Sequence, residues 1–212
     1  MEETQAKHLF DGLQQFASLS QTSICMLHLA EPGLPCPRSK YYCGNESVTS
    51  VIIFDAVKEV YCQRYDIKDK WPSVDAVSLK DDLFLLIEIK SWQNFIRFQM
   101  KKNDDLQSIQ TKIEKQVQHF KLQSKIDKSI EICKNVMSDS NLFVKVPSIY
   151  VLVTDIDTVQ NPMDRFRAQL GVLSYNSVKY LLNVASTDAM NATDLKVRYV
   201  RCKEFDKFYE SL

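Results

Sequence analysis

The sequence predicts a mixed α/β fold, a mixed sheet with helices on both faces. Three observations carry this. Segments with strand patterning alternate along the chain with segments of helical period. Two short apolar runs, 83–90 and 148–154, have the composition of strands covered on both sides. The 212 residues, 45% of them apolar, suffice for one domain with a substantial core, or one domain with an appendage.

Taken in order, residues 6–30 carry a helical pattern. Residues 31–47 hold three of the six prolines and two of the four glycines, and read as a loop. Residues 1–47 thus form an N-terminal helical piece and a Pro-rich loop packed on the main body, and 48–212 form the α/β domain. Ser47 is placed as the N-cap of a helix running to about Arg64. Ser73–Leu79 is the first strand, Lys80-Asp81-Asp82 the turn and Leu83–Lys90 the second strand. A long helix follows over 104–137, with Leu106, Ile109, Ile113, Val117 and Phe120 on one stripe. Pro147 opens a buried strand, Ser148–Thr154. Residues 163–184 are helical, 195–202 form the last strand and 203–211 a short helix.

Lys plus Arg (27) equals Asp plus Glu (27), so no global basic field draws the chain to nucleic acid. Any such contact comes from a local patch, and a neutral chain suits a subunit that works with a protein partner or as a homodimer. Six cysteines stand at 25, 36, 43, 62, 133 and 202 without a CxxC pair, which disfavours a zinc finger or a thioredoxin-type motif. The stretch Leu13–Ala30 lacks charge, but Gln, Ser and Thr interrupt it, so it reads as a buried helix and not a membrane span. The N-terminus lacks the basic-then-apolar order of a signal peptide. The expectation is an intracellular protein, cytoplasmic or beside DNA in nucleoid or nucleus, with reduced thiols and no membrane contact.

The informative stretch runs from Trp71 to Lys90. Glu88 and Lys90 are two apart on a strand and share a face. They interrupt a run of Leu, Phe and Ile, where burying charge is costly unless the charges are paired or bind metal. With Asp81-Asp82 as a two-residue loop, Lys80 pairs with Leu83, and Asp75 then falls opposite Glu88. A three-residue loop moves Asp75 opposite Ile87, still beside Glu88. Two opposed carboxylates repel. A divalent cation converts that repulsion into a binding site, and hard oxygen ligands suit Mg²⁺ or Mn²⁺. Lys90 beside them can orient a water or stabilise charge on phosphate.

Val74-Asp75 followed by Glu88-Ile89-Lys90 resembles the core signature of the PD-(D/E)xK nuclease superfamily, which includes restriction endonucleases and RecB-type nucleases. The resemblance spans about residues 48–154. It departs from the pattern in lacking a proline directly before the aspartate; Pro72 lies three earlier. It implies a restriction-endonuclease-like fold and a metal-dependent endonuclease acting on nucleic acid, DNA in the first place and RNA as the alternative. Defence, repair and mobile-element processing are the settings common to such enzymes. It also implies Asp75, Glu88 and the backbone carbonyl of Ile89 as metal ligands, and Lys90 as the group that activates water or stabilises the transition state. Members often carry an acidic residue on the helix before the hairpin. Glu59, at the edge of the apolar face, is the candidate additional ligand, and Asp55, one turn earlier, its rival. RecB-like members often carry a glutamine four residues before an aromatic on the following helix. Gln116 and Phe120 match that pair, with Gln116 orienting substrate or water.

The same residues also admit plainer readings. Glu88 and Lys90 can be a plain ion pair in a catalytically silent binding or assembly module. The lysines at 101, 102, 112, 115, 121, 125, 128 and 134 are interleaved with acids and read as a solvated face. Arg198, Arg201 and Lys203 pose the same question more weakly. His28 and His119 lack a second supporting ligand and read as packed or surface histidines.

Overall fold

The computed structural model describes residues 4–25, 47–69, 71–90, 111–112, 115, 117–154 and 195–212. Among the described residues, six strands form one mixed sheet in sequential order. They are β1 (Thr22–Ser23), β2 (Ser50–Ile53), β3 (Ala76–Lys80), β4 (Leu83–Lys90), β5 (Ser148–Thr154) and β6 (Lys196–Arg201). The first four pair antiparallel; β4, β5 and β6 run parallel. Among the described residues the labelled α-helices are α1 (Gln5–Phe16), α2 (Phe54–Arg64), α3 (Leu122–Met137), α4 (Leu142–Lys145) and α5 (Phe205–Glu210). A parallel pair needs a crossover, and α3 and α4 lie on the one that joins β4 to β5.

The pleat of the sheet sorts its side chains into two cores. Phe84 and Leu86 face the same side as Val77, Tyr150 and Leu152, where Leu9 and Leu13 of α1, Val57 of α2 and Ile126 and Ile132 of α3 cover them. Leu85, Ile87 and Ile89 face the other side with Ile149, Val151 and Val153, where Phe205 of α5 covers them. Residues 84 to 87 of β4 have no exposed surface. That explains the unbroken apolar run: a central strand under helices on both faces has no solvent side to mark with polar residues.

The hairpin follows its expected register. Lys80 pairs with Leu83 and Ala76 with Ile87 around the two-residue turn Asp81-Asp82. Asp81 sits at φ 51°, a left-handed conformation that aspartate tolerates better than most residues. The strand bounds at 83–90 and 148–154 also match the sequence reading.

Four expectations need correction. The first helix ends at Phe16 and does not run on to residue 30; Ser18 takes φ 51°, and residues 22–23 pair with β2 as an edge strand. Ser47 is no helix cap. Residues 50–53 form β2, α2 begins at Phe54, and its N-cap is Ile53. So short a strand, Ser-Val-Ile-Ile, has no alternation to set it apart from the helical pattern that follows it. The first hairpin strand begins at Ala76, three residues after Ser73. The long helix is not continuous: residues 117–120 are helical, Lys121 turns to φ 50°, and α3 starts afresh at Leu122. No proline or glycine marks that break. The helix expected over 163–184 lies outside the described residues, as do residues 104–110. No described helix is long and apolar enough to cross a membrane.

The segment ahead of β2 meets the C-terminal helix at Asp206 of α5. Its carboxylate accepts from Ser47 Oγ (2.5 Å), Thr49 Oγ1 (2.6 Å), Val48 N (3.0 Å) and Thr49 N (3.3 Å). Burial works against its charge, but these hydrogen bonds outweigh it and hold the carboxyl below its ordinary value of 3.8. Asp206→Ala should therefore lower stability by about 2 kcal/mol in urea denaturation at pH 7. Because the folded-state value is depressed, the difference should be present above pH 3.8 and shrink as pH falls below it. An unchanged midpoint at pH 7 would show that the segment before β2 is held by packing alone.

Candidate functional site

The site begins with backbone. Asp75 lies just ahead of β3, where its N–H donates to Ile87 O (3.0 Å) and its carbonyl accepts from Phe54 N (3.1 Å). Strand β4 and the start of α2 thereby fix its main chain from two sides. Its side chain then reaches across the hairpin, and Oδ2 accepts from Ile89 N (2.7 Å). Continuing the Ala76–Ile87 register by one step puts Asp75 opposite Glu88.

Glu88 and Lys90 share the face of Phe84 and Leu86, the face that α3 covers. Glu88 is 0% exposed. Lys90 Nζ pairs with Glu88 Oε1 and lies 3.7 Å from Asp75 Oδ2 and 3.2 Å from the Ile89 carbonyl. The ring of Phe120 stands 5.1 Å from the same ammonium. A second cation enters from α3. Lys125 Nζ donates to Glu88 Oε1 (2.6 Å) and to Asp75 Oδ1 (3.3 Å), bridging the carboxylates. Two acids and two lysines thus meet in one small, largely buried cluster. Glu88 Oε2 is buried and has no hydrogen-bond partner among the described residues.

The electrostatics follow from that burial. Loss of water, and secondarily the nearby Asp75 charge, push the Glu88 carboxyl from 4.5 up to about 7, against the pull of Lys90 and Lys125. Burial opposes the charge on Lys125, yet Glu88 and Asp75 outweigh it and hold its ammonium above the ordinary value.

The structure brings Asp75, Glu88, Ile89 and Lys90 together and adds Lys125. Glu59 is exposed on α2, and its rival Asp55 is held by Lys58 and by Ser73 Oγ (2.6 Å). Gln116 and His28 lie outside the described residues, and His119 is exposed. Lys125 was hidden in a run of lysines that reads as solvated. The signal for it is helical spacing. It stands three residues after Leu122 and four before Ser129, both buried, so it shares their face of α3. Ser129 itself accepts from Val74 N (2.9 Å), docking the helix beside the start of the hairpin.

No family model, curated protein or solved structure matches this chain. The cluster's own chemistry therefore carries the functional argument. Among the described residues no three His, Cys, Asp or Glu side chains gather as a metal site. The oxygens on offer are the two carboxylates and the Ile89 carbonyl. That set fits a hard cation, since Mg²⁺ keeps several waters and commonly takes one or two carboxylates. The unpartnered Glu88 Oε2 is a further point of fit.

The raised Glu88 value fixes a pH dependence. Between pH 4.5 and 7 the folded protein holds a proton that the unfolded chain has released. Stability contributed by Glu88 is thus full below 4.5 and lost as pH rises through about 7. Urea denaturation in EDTA should show wild type losing stability relative to Glu88→Gln across this window. Parallel pH profiles for the two proteins would mean that Glu88 titrates normally.

Proposed function

We propose that this chain is a metal-dependent nuclease of the PD-(D/E)xK type, with a restriction-endonuclease-like fold, that hydrolyses DNA phosphodiester bonds inside the cell. The observation that carries the reading is the meeting of Asp75, Glu88 and Lys90 across one hairpin, in a buried setting where such charges need a purpose. Asp75, Glu88 and the Ile89 carbonyl are the groups that would hold Mg²⁺ or Mn²⁺. The metal, when bound, supplies positive charge to a phosphate and lowers the pKa of a water.

The chain's own residues do the rest. The Asp75 carboxylate is oriented before any ligand arrives, because the Ile89 amide holds its Oδ2. Lys90 can offer N–H donors to a phosphate oxygen, where negative charge grows in the transition state. Phe120 beside it limits water around the ammonium and strengthens its field. RNA is the alternative substrate on the same site. The neutral overall charge leaves room for a protein partner or a second copy to supply nucleic-acid contacts.

One observation favours a second reading. Two ammoniums already neutralise two carboxylates, as in a structural charge cluster of a silent binding module. The two readings separate in one set of assays on plasmid, linear and single-stranded DNA and on RNA, with Mg²⁺ or Mn²⁺. Lys90→Ala should lower cleavage by about a hundredfold or more while Mn²⁺ binding and the circular dichroism spectrum persist. Full cleavage by Lys90→Ala would remove Lys90 from the chemistry. Wild type that neither cleaves any substrate nor binds Mn²⁺ would establish the silent module.

A further inference from the structure

Lys125 has no counterpart in the motif that drew attention to the hairpin, yet it makes the closest link between the two carboxylates. Its ammonium is within hydrogen-bond distance of Glu88 Oε1 (2.6 Å) and Asp75 Oδ1 (3.3 Å) at once. Lys90 does not bridge in this way. It is 3.7 Å from Asp75 Oδ2, the oxygen that the Ile89 amide already engages. The two lysines also differ in how they are tethered. Lys90 belongs to the strand that carries Glu88, and its ammonium donates to the carbonyl of the preceding residue. Lys125 comes from a separate element, α3, and the two side chains keep similar solvent exposure, 14% for Lys90 and 18% for Lys125.

We propose that Lys125 is a built-in competitor for the metal: its ammonium occupies the cation position between Asp75 and Glu88, and a divalent ion binds only as that ammonium withdraws. The inference rests on the metal site of the nuclease reading. Its physical basis is simple. An ammonium and a divalent cation seek the same two oxygens, and both cannot contact them within a few ångström without strong repulsion. While Lys125 bridges, the carboxylates are neutralised and the hairpin is stable without metal. When metal displaces it, a positive side chain is released at the mouth of the site, free to meet the negative charge of a phosphodiester. Metal affinity is thereby held down in the free protein.

The test is Mn²⁺ affinity, measured by calorimetry and by the electron paramagnetic resonance signal of free Mn²⁺, for wild type, Lys125→Met and Lys125→Arg. Lys125→Met keeps the stem and removes the charge, and should bind Mn²⁺ roughly tenfold more tightly or better. Lys125→Arg keeps the charge and should bind no more tightly than wild type. Adding Glu88→Gln to Lys125→Met should abolish the gain and so locate it at this site. If Lys125→Met does not fold, Lys125→Gln keeps a hydrogen-bond donor without charge and should show the same tightening. Affinity that is unchanged or weakened in the uncharged variants, with wild type binding Mn²⁺, overturns the competitor role and leaves the metal site standing. Absence of Mn²⁺ binding in wild type and in every Lys125 variant overturns the metal site itself, and this inference with it.

Discussion

A carboxylate with no exposed surface sits near the end of the central strand, and much of the structure answers to it. Taking Glu88 out of water costs roughly several kcal/mol even after relaxation. One lysine on its own strand offsets part of that cost, and a second on α3 offsets more. The second lysine constrains the fold, because α3 must lie over the β4 face at a height where Lys125 reaches the carboxylate. Neighbouring contacts hold it there. Ser129 Oγ takes the Val74 amide one turn further along, and the Lys128 ammonium lies 4.1 Å from the centre of the Trp71 ring. The helix is thus docked on the residues that lead into the hairpin, and the hairpin and its cover are positioned together.

The second constraint is register. Side chains alternate along a strand, so a slip of one residue between β3 and β4 would turn Glu88 and Lys90 away from Asp75. The two-residue turn at Asp81-Asp82 prevents that slip at one end of the hairpin. At the other end, Asp75 holds both the Ile87 carbonyl and the Ile89 amide. A strand pinned at both ends keeps its charged pair aimed at one point. Such rigidity serves either a metal site or a buried ion cluster, since both need groups held in place before the ligand or countercharge arrives.

These two constraints also explain what was legible in the sequence. The hairpin register, the bounds of β4 and β5 and the convergence of Asp75 with Glu88 follow from local periodicity and from a turn of fixed length. The lost elements lack such local signals. β2 is four residues long and runs straight into α2, so its pattern merges with the helix. The break at Lys121 is a single backbone rotation without a glycine or proline to mark it. Lys125 looks like its lysine neighbours until α3 is wound and its buried face is counted from Leu122, Ile126 and Ser129. Its partner is in another element, and only the tertiary arrangement supplies that information.

Charge closes the argument about what the cluster can attract. The chain is neutral overall, and the outer face of α3 does not form a basic track, because Lys128 is paired with Glu131 (2.7 Å) and Asp127 stands beside it. The four-group cluster is neutral as well when its two acids and two lysines are ionised. Neither the whole molecule nor this helix therefore offers the positive field that holds a phosphate backbone. On the nuclease reading a divalent ion would change the balance locally, turning a neutral cluster positive at the place where a phosphodiester would have to sit. On the nuclease reading the metal then has two duties, in the chemistry and in recruiting the substrate. The free protein would be a poor ligand for nucleic acid until the ion is bound. On the silent reading the same neutrality is the end state, and the cluster holds α3 to the sheet and nothing more.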